Sequence, residues 1–570
     1  MSEIELLDKL LQNRGIEGDK NTEKFLNPDY KRDLMDPFLL SDMERAIVRI
    51  FEAIEGNEKI IVYSDYDCDG IPAAVIISDL LKKIRYLNFE IYIPDRHEEG
   101  FGLHQEAIHK FRDAGVNLII TFDLGVTDIE EIVLAQSFGI DVIVTDHHLP
   151  IFKTNTEGQV LEILPKAYAV INPKRKDDRY PDKNLCGSGV AFKVVQAFVK
   201  KYGEYFKIHD GWEKWLLDMA GIATLSDMVP LLGENRAIAY FGLKVLQKNK
   251  RPGLRKMFAD LKIDARHIVE EDITFMLTPR LNAASRMDDP KKAFDLLSTN
   301  SEEEAGVLSK HLVQINDDRK ILVANIMKEV NKLLEKREEK SLIVIGNPSW
   351  RAGVLGLIAS KIVDQYKKPC FVWGSDFKGS CRSYEEVNLV EIMSRVKENI
   401  FVDFGGHKLA GGFSVSNESV FFLEEELLNS YANIIKEQSI TEKRLDLGDL
   451  KRSNLEEFDA VLLLSEVSPK NYKIIEKLAP FGLGNPKPVF LFENVEIKKM
   501  RQFGKNKDHL ELYVSDGSVD NPLKAIQFFK DENSYVKQLK EGSILNLKAH
   551  IEKSLFLGRT EIRLRIVDLC

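Results

Sequence analysis

The sequence predicts an α/β protein with two successive α/β units, a long helix between them and a small β-barrel at the end. Short runs rich in Ile and Val alternate with helical segments from residue 58 and again from residue 341, which is typical of βαβ units around a mainly parallel sheet. From residue 441 the pattern changes to short strands and turns. About five strands in roughly 130 residues indicate a small barrel.

The first unit is predicted to contain a sheet with a regular strand–helix rhythm. The strands read, in chain order, EKIIVYSD, FEIYIPD, NLIITFD, DVIVTDHH and YAVINP. The helical segments between them include IPAAVIISDLLKKI, LHQEAIHKFRDAG and TDIEEIVLAQSFG, and residues 187–250 are also mostly helical. The segment IFKTNTEGQVLEILPKA, after the fourth strand, is expected to be a surface loop.

Apolar residues at helical spacing predict one long helix over residues 301–338. At 1.5 Å per residue it spans on the order of 55 Å, so either an ordinary packed helix or a strut between domains fits. The second unit follows with SLIVIGN, GVLGLIASKIVDQY and KPCFVWG, and the barrel with LELYVSD, LKAIQFF, SILNLKAHIEKS and TEIRLRIVDL. The expected division of the chain is 1–300 with an N-terminal extension, 301–338, 339–440 and 441–570.

Composition excludes several classes of protein. The net charge of −10 excludes a uniformly basic nucleic-acid coat, so any polyanion must bind a local basic groove or metal ions. The five cysteines are widely spaced without a CxxC pair, which argues against a disulfide scaffold or a zinc ribbon. No apolar run approaches the roughly 20 residues of a membrane helix. We expect a soluble, cytoplasmic protein without a membrane partner.

Acidic and imidazole side chains follow three predicted strands. Asp65, Asp67 and Asp69 follow the first strand, Asp123 follows NLIITF, and Asp146, His147 and His148 follow VIVT; Asp227 lies in TLSDMVPL. The carboxyl ends of parallel strands meet at one edge of the sheet, where ligands bind. An aspartate-rich set with imidazoles and no thiolate favours Mn²⁺ or Mg²⁺. Several carboxylates with a bridging candidate indicate two cations about 3.5–4 Å apart.

Each of these residues, taken alone, has another interpretation. A single Asp after a strand is often a helix N-cap. The string DYDCDG resembles part of a calcium loop, but that loop requires Glu six residues after its Gly, where this chain has Ile76. Their joint position at successive strand ends favours a metal site.

These segments resemble a known family. DYDCDG, FDLG, VTDHH and LSDMVPL are similar, in this order, to the four metal-binding motifs of DHH-superfamily phosphoesterases. NRGI, PDRHEEGFGL, TPRLNAASRM, WRAGVLGLIASKI, KGSCRS, GGHKLAGGF and PFGLGNPKPVF further resemble the RecJ family of single-stranded-DNA-specific 5′→3′ exonucleases. The similarity runs from residue 1 to residue 570. It implies a parallel-sheet DHH domain, a connecting helix, a DHH-associated α/β domain and a C-terminal OB-like β-barrel.

The resemblance also implies roles for individual residues. The implied ligands of two Mn²⁺ or Mg²⁺ ions are Asp65, Asp67, Asp69, Asp123, His147 and Asp227. The implied catalytic groups are Asp123, His148 and His407, and His148 is also a possible ligand. The implied contacts to a 5′-terminal phosphate and its strand are Arg96, Arg280, Asn282, Ser380, Arg382 and His407. Independent chemistry agrees, since the planar guanidinium fork suits phosphate and histidine suits proton transfer.

Basic residues concentrate at one place in the barrel region, in IKKMRQFGKNK. A basic groove with aromatic side chains is how OB-type barrels bind single strands. The candidate contacts are Lys498, Lys499, Arg501 and Phe503. A solvated hairpin tip is the alternative interpretation.

The chain departs from the family pattern at two positions. Relatives usually carry His after the Trp of WRAGV, where this chain has Arg351, and Gly where it has Ser285. Arg351 retains affinity for phosphate but lacks the imidazole that a proton role at that position would need. Neither departure touches the implied metal ligands.

The resulting expectation is a two-metal exonuclease that degrades single-stranded DNA from the 5′ end to 5′-mononucleotides in DNA repair and recombination. The family suggests a single-strand-binding protein and a recombination helicase as partners, and a monomer is the default. Two alternatives stay open: a DHH phosphodiesterase for cyclic dinucleotides or very short RNA, and a non-catalytic DHH relative that serves as a replication scaffold. A short substrate does not need the barrel, and a scaffold does not need the complete acidic set.

Overall fold

A computed structural model describes residues 3–155, 158–385, 387–444, 458–504, 507, 509–528, 539–556 and 559–569. The chain forms three lobes, each around its own β-sheet. Within these residues, no helix has the length and apolar character needed to cross a bilayer.

The first lobe contains a five-stranded, fully parallel sheet in the order β2-β1-β3-β4-β7. Its strands and the hairpin β5–β6 are β1 (Ile60–Ser64), β2 (Phe89–Tyr92), β3 (Leu118–Phe122), β4 (Asp141–Thr145), β5 (Ile151–Thr154), β6 (Val160–Ile163) and β7 (Ala169–Ile171). The helices up to β7 are α1 (Glu3–Gln12), α2 (Asp19–Leu26), α3 (Tyr30–Asp33), α4 (Met43–Glu55), α5 (Gly70–Lys83), α6 (Gln105–Asp113) and α7 (Ile129–Ser137). Strands β1 and β3 are buried along their whole length, which explains their unbroken apolar runs.

The helices that follow β7 in the chain complete the first lobe. They are α8 (Gly187–Tyr202), α9 (Leu217–Ser226), α10 (Gly233–Leu246), α11 (Pro252–Leu261), α12 (Thr278–Met287) and α13 (Lys291–Ser298). Residues Asp272–Leu277 form a π-helical turn that runs directly into α12. Helices α5 and α8 pack together in the large core of this lobe.

The long helix α14 (Glu302–Leu334) belongs to two cores. Leu312 packs in the core of the first lobe, whereas Val323, Ile326 and Val330 pack in the core of the second. At 1.5 Å per residue, α14 spans about 50 Å. The helix is therefore both packed and a strut, which combines the two interpretations that its sequence allowed.

The second lobe contains a five-stranded sheet in the order β11-β12-β10-β9-β8. Its elements are β8 (Ile343–Gly346), α15 (Leu355–Tyr366), β9 (Cys370–Trp373), β10 (Lys378–Arg382), α16 (Leu389–Ser394), β11 (Phe401–His407), β12 (Ala410–Val415) and α17 (Leu423–Arg444). Strands β8 and β9 pair in parallel, and the other pairs are antiparallel.

The third lobe is a closed five-stranded barrel, because β14 pairs with both β15 and β17 in the order β14-β15-β16-β18-β17. Its elements are β13 (Ala460–Val461), α18 (Pro469–Glu476), β14 (Phe490–Phe503), β15 (His509–Ser515), β16 (Leu523–Phe528), β17 (Ile544–Phe556) and β18 (Arg559–Leu569). The predicted fold class, two α/β units, a long helix and a barrel, is confirmed.

The start of the chain packs against this barrel. Helices α1 and α2 place Leu6, Leu10, Leu11 and Phe25 in the same core as the barrel strands. Arg14, in the segment NRGI, donates to the Asn485 side chain and the Pro486 carbonyl of the loop before β14. The N-terminal segment thus joins the last lobe rather than the sheet that follows it in the sequence.

We expect Arg236→Met to destabilise the contact between the first and third lobes. The buried guanidinium donates to the carbonyl oxygens of Phe25, Leu478 and Ala479 at 3.0, 2.9 and 2.9 Å. Removing these charge-assisted bonds leaves buried carbonyls without a donor, at a cost of about 3–5 kcal/mol. Thermal unfolding should show a lower Tm. Arg266→Met, at a mostly exposed arginine paired with Asp264, is the control and should change the Tm little. Equal Tm values for both variants would contradict a stabilising role of Arg236.

Candidate metal centre

The ends of β1, β3 and β4 bring carboxylates and imidazoles to one edge of the parallel sheet. Asp65 directly follows β1, Asp123 directly follows β3, and Asp146, His147 and His148 follow β4. Asp69 precedes the first residue of α5, and Asp227 follows the last residue of α9. The sheet topology therefore converts distant sequence positions into one cluster, as the sequence predicts.

His147 lies at the middle of this cluster. Its Nε2 atom is 3.1 Å from Asp123 Oδ1, 3.7 Å from Asp69 Oδ2 and 3.8 Å from Asp227 Oδ2. Three sets of ligand atoms lie within 4.8 Å of one another: Asp123 with His147 and His148, Asp69 with His147 and Asp227, and Asp65 with Asp67 and Asp123. Because Asp123 and His147 each belong to two sets, the cluster can hold two neighbouring cations.

The backbone around Asp123 is shaped to bring its carboxylate close to the other ligands. Asp123 has a left-handed φ of 64°, a conformation that Asp adopts more readily than most residues. Gly187, at the start of α8, lies against it, and a Cβ at this position would be 2.6 Å from Asp123 Cβ. A side chain at residue 187 would therefore displace the carboxylate that two of the ligand sets share.

Backbone donors fix two of the carboxylates. Asp69 accepts from the N–H groups of Gly187 and Ser188 at 2.6 and 2.7 Å, at the N-terminus of α8. Asp67 Oδ1 accepts from the N–H groups of Asp69 and Gly70 at 2.7 and 3.2 Å. These bonds orient the carboxylates and leave further lone pairs for a cation.

The electrostatics of the cluster fit a bound cation. The buried Oδ1 atoms of Asp65 and Asp123 accept no hydrogen bond from the described residues. Burial and neighbouring carboxylates raise the pKa of both side chains well above their usual range. The same causes raise the pKa of Asp69 to about 6 and that of Asp227 to about 8. A divalent cation removes this repulsion without protonating the carboxylates.

We expect Mn²⁺ to stabilise the protein more at pH 8 than at pH 6. A raised pKa in the folded state means that stability is lost as pH rises from the unfolded value near 3.8 through the folded value. Without metal, Asp69 and Asp227 therefore destabilise the fold increasingly between pH 4 and about pH 8, and Mn²⁺ restores that stability. Thermal unfolding with Mn²⁺ or EDTA measures the difference in Tm.

Asp227→Asn is the matched variant for this measurement. It removes the carboxyl with the higher pKa of Asp69 and Asp227, so the dependence of the Mn²⁺ effect on pH should become weaker. An equal rise in Tm at both pH values in the wild-type protein would contradict competition between protons and the cation at these carboxylates.

Asp146 supports the imidazoles and was not among the residues to which the sequence assigned a ligand or catalytic role. Its carboxylate accepts from Val126 N–H at 2.9 Å and from His147 N–H at 2.7 Å, and His148 Nδ1 lies 2.8 Å from Oδ1. This contact raises the pKa of His148 to about 9 against the effect of burial, whereas burial and the charge of His148 lower the pKa of His147 to about 3. His147 is thus neutral and suited to bind a metal, and His148 can hold a proton. The position of Asp146 immediately before the two histidines is the feature of the sequence that could have indicated this supporting role.

Arginines from both lobes gather beside the metal centre. Arg96 lies over the Tyr66 ring at 4.9 Å, and Arg286, at the end of α12, donates to Gly353 O at 3.1 Å. Burial and the charges of Arg96, Arg319 and Arg382 lower the pKa of Arg286 to about 9. In the part of the chain that the structure describes, these four guanidinium groups form no ion pair with a carboxylate. We call Arg96, Arg286, Arg319 and Arg382 the arginine cluster.

The first turn of α15 faces Ser380 and Arg382, the two residues of β10 that were predicted to contact the phosphate. A Cβ at Gly356 would lie 3.0 Å from Arg382 Nη2 and 3.7 Å from Ser380 Oγ, so glycine lets this turn approach both side chains. A hydroxyl and a guanidinium are both donors to anions. The cluster therefore presents convergent donors to one anionic group.

His407 faces the metal centre from the second lobe. It ends β11 and is exposed, and partial desolvation in the cleft together with the charges of His148 and Lys174 lowers its pKa. Lys174 follows β7, and burial lowers its pKa although Asp227, Asp146 and Asp123 act to raise it. The structure thus adds Lys174 to the groups around the metal centre, a position that its sequence NPKR did not indicate.

Arg280 and Asn282 lie nearer the start of α12 than Arg286 does. Arg280 is buried, and its guanidinium donates to Phe275 O at 3.3 Å and Met276 O at 2.8 Å in the π-helical turn. Asn282 is half-buried, and its Oδ1 accepts no hydrogen bond from the described residues. Ser285 is buried in the same helix, and Arg351 donates to Met287 O at 2.8 Å across the lobes. Burial and the charge of Arg280 lower the pKa of Arg319, so Arg280 lies near the arginine cluster, and its role at the phosphate stays a prediction.

The predicted barrel contacts are partly engaged within the barrel. Lys498 pairs with Glu496, and Arg501 with Glu511, while Lys499 is exposed. The Phe503 ring contacts His509 and Phe528, with centroids 5.1 and 6.3 Å apart, across neighbouring strands. The residues Lys505, Asn506 and Asp508 of this hairpin lie outside the described residues.

Family models match three parts of the chain. They are the DHH family, N-terminal domain, over residues 59–224, the DHHA1 domain over 339–437 and the RecJ OB domain over 458–568. The Single-stranded-DNA-specific exonuclease RecJ of Bacillus subtilis (strain 168) is 34% identical over 569 residues, which are 99% of this chain and 67% of the relative.

Solved structures show the same architecture. The crystal structure of exonuclease RecJ bound to manganese is 29% identical, with a TM-score of 0.60, and the match covers 69% of this chain and 95% of that one. The crystal structure of RecJ in complex with Mn²⁺ from Thermus thermophilus covers 99% of this chain and 76% of that one at a TM-score of 0.77; at 24% identity this similarity shows the fold.

Proposed function

Because the chain belongs to the RecJ family of single-stranded-DNA-specific exonucleases, we propose that it degrades single-stranded DNA from the 5′ end to 5′-mononucleotides. The activity is a metal-dependent phosphodiester hydrolysis with roles in DNA repair and recombination. The observation that supports the proposed 5′→3′ direction is the arginine cluster. Its guanidinium groups have no carboxylate partner among the described residues and lie beside the carboxylate cluster.

Two divalent cations, Mn²⁺ or Mg²⁺, are the proposed cofactors. Their proposed ligands are Asp65, Asp67, Asp69, Asp123, His147 and Asp227. When bound, the cations activate water and neutralise charge on the scissile phosphate. The donor set supports them, because it consists of carboxylates around a neutral imidazole and contains buried oxygen atoms that accept no hydrogen bond from the described residues.

The arginine cluster and Ser380 hold the 5′-terminal phosphate in this proposal. A terminal phosphate has more negative charge than an internal one and fits a closed set of donors. A pocket beyond the metal centre accepts only a strand end, so the distance between pocket and metal centre determines which bond is cut. The 3′ end lacks a phosphate that could fill it.

Side chains from both lobes position the scissile phosphate. His407, exposed at the end of β11, donates to it or transfers a proton, since one ring nitrogen of a neutral imidazole donates a hydrogen bond and the other can accept a proton. His148, oriented by Asp146, holds a proton on the opposite side. Arg280 and Asn282, on α12, contact the terminal phosphate and its strand in this proposal.

The remaining assignments belong to the same proposal. Residues 1–300, 301–338, 339–440 and 441–570 act as the phosphoesterase unit, the connecting helix, the DHH-associated unit and the OB unit. The barrel binds the strand through Lys498, Lys499, Arg501 and Phe503, without reading its sequence. The protein acts as a cytoplasmic monomer, and a single-strand-binding protein and a recombination helicase are its proposed partners.

Strands labelled at the 5′ or the 3′ end test the proposal in the presence of Mn²⁺. We expect immediate release of a labelled mononucleotide from the 5′ end alone, weak dependence on sequence and strong dependence on salt. If long strands survive while cyclic dinucleotides or dinucleotides are cleaved, the enzyme is a short-substrate phosphodiesterase. Binding of DNA without hydrolysis under either metal would indicate a scaffold.

A further inference from the structure

A solvent-open cavity of about 240 Å³ lies between the first lobe and the loop before β14. Three large apolar side chains in its lining are more than half exposed: Met228 at 64%, Phe275 at 66% and Leu483 at 54%. Such residues are normally found singly on a surface. Three in one cavity indicate a binding surface.

The backbone holds Phe275 in its exposed position. Phe275 belongs to the π-helical turn Asp272–Leu277. Such turns are rare in proteins as a whole, and those that occur are often found at functional sites. Carbonyl groups in this turn need donors, and Arg280 donates to those of Phe275 and Met276. Thr274 Oγ1 donates to Glu270 O at 2.6 Å. Arg280 is therefore a positioning residue that fixes the turn with Phe275 outward.

The cavity adjoins the metal centre. Met228 directly follows Asp227 and has a left-handed φ of 57°. Ser226 and Thr278 share a hydrogen bond of 2.6 Å that ties the end of α9 to the start of α12. From Phe275 to Arg286 the turn and α12 rise about 16 Å, so they run from this cavity past the metal centre to the arginine cluster.

The charges of the cavity favour a base over a phosphate. Lys487 and Arg565 both bind Glu271, at 3.2 Å each, so the cations at this end are already paired. Glu270 is buried and acidic. An apolar surface beside carboxylates suits the face of a nucleobase, and it offers no free donor to a phosphate among its described lining residues.

We propose that Phe275, with Met228 and Leu483, is a stacking platform for nucleobases of the substrate strand on the 3′ side of the scissile bond. The platform rests on the proposed function. The 5′ phosphate lies at the arginine cluster, the scissile bond at the metal centre, and the base a few nucleotides further on contacts Phe275. Stacking on an aromatic ring tolerates every base.

The test compares Phe275→Ala with Phe275→Trp and the control Phe421→Ala. Phe421 is also a strongly exposed phenylalanine, at 81%, but lies in the second lobe. We expect Phe275→Ala to raise KM for a 5′-phosphorylated strand of about 20 nucleotides by about fivefold or more, with a smaller change in kcat. Phe275→Trp should restore the wild-type KM, and Phe421→Ala should not change it.

A positional readout separates stacking from a structural role. In EDTA, 5′-phosphorylated strands carry 2-aminopurine at successive positions from the 5′ end, and its fluorescence is measured with protein. We expect quenching by Phe275 at one internal position, lost in Phe275→Ala and regained in Phe275→Trp. A flat profile in the wild-type protein, or a profile and KM unchanged by Phe275→Ala, overturns the platform.

Wild-type activity on end-labelled strands distinguishes this outcome from failure of the proposed function. If the wild-type protein releases 5′-mononucleotides while Phe275→Ala has no effect on KM or quenching, only the platform is wrong. If the wild-type protein hydrolyses no strand, the proposed function itself fails. A lower Tm and an equal loss in kcat for strands of every length would show that Phe275 has only a structural role and would also overturn the platform.

Discussion

Asp123→Asn is expected to lower the rate of nucleotide release by about three orders of magnitude or more at saturating Mn²⁺. The carboxylate belongs to two of the three ligand sets and lies 3.1 Å from His147 Nε2. The amide of Asn keeps the size of the side chain, but it is neutral and offers only one oxygen. Both cation positions therefore lose a ligand at once. Single-turnover release from a 5′-labelled strand measures the chemical step without product release.

A stability measurement shows whether this loss is local. In EDTA at pH 8, Asp123→Asn should have a higher Tm than the wild-type protein, because the substitution removes a buried charge whose pKa is raised by its neighbours. Asp128→Asn is the control for activity, because this carboxyl accepts from Leu103 N–H at 2.8 Å and belongs to no ligand set among the described residues, so nucleotide release should change little. Nearly normal activity of Asp123→Asn would refute the shared role of this carboxylate.

Arg382→Met is expected to raise KM for 5′-phosphorylated strands by about 10- to 100-fold, which corresponds to one or two charge-assisted hydrogen bonds. Strands that begin with a 5′ hydroxyl lack the group that Arg382 binds, so their KM should change much less. The measured quantity is the ratio of kcat/KM for the two kinds of strand. Arg286→Met should reduce this ratio similarly, because both guanidinium groups belong to the arginine cluster.

Two further variants make the result specific. Arg382→Lys keeps the charge without the planar fork, so we expect an intermediate ratio. Arg395→Met removes an arginine of the same lobe that is paired with Glu391, and it should leave the ratio unchanged. An unchanged ratio in both Arg382→Met and Arg286→Met would place the 5′ phosphate elsewhere and remove the explanation of polarity.

The sequence allowed the metal centre to be located because a parallel sheet has a simple rule. Side chains that follow successive parallel strands lie at the same edge, so Asp65, Asp123 and His147 could be grouped without coordinates. The alternation of buried strands and helices similarly determined the first lobe. The rule concerns the backbone, and it needs no knowledge of side-chain direction.

Side chains on helices were harder to assign. Arg280 and Arg286 lie in one helix six residues apart, so they point in directions that differ by about 120° around its axis. The position of the second lobe, which brings Gly353 to Arg286, shows that Arg286 lies between the lobes. The interpretation of TPRLNAASRM therefore identified the helix and Arg280 but did not include Arg286.

Local propensity also gave incomplete answers at two other places. The segment after the HH pair was expected to be a loop, but β5 and β6 form a short antiparallel hairpin, with Ile151 paired to Ile163. The amphipathic pattern at the start of the chain is compatible with packing against any apolar surface. Its actual partner, the barrel, is separated from it by more than 400 residues, and a sequence pattern does not encode the partner.

That last contact has a consequence for synthesis on the ribosome. The apolar face of α1, with Leu6, Leu10 and Leu11, leaves the exit tunnel long before the barrel strands that cover it. At 5–20 residues per second, the delay is roughly 20–90 s. During this interval the first lobe can complete its sheet, whereas α1 has no native surface to cover it. The contact between the barrel and the beginning of the chain can form only then, so it is the last part of the fold to assemble in each newly made molecule.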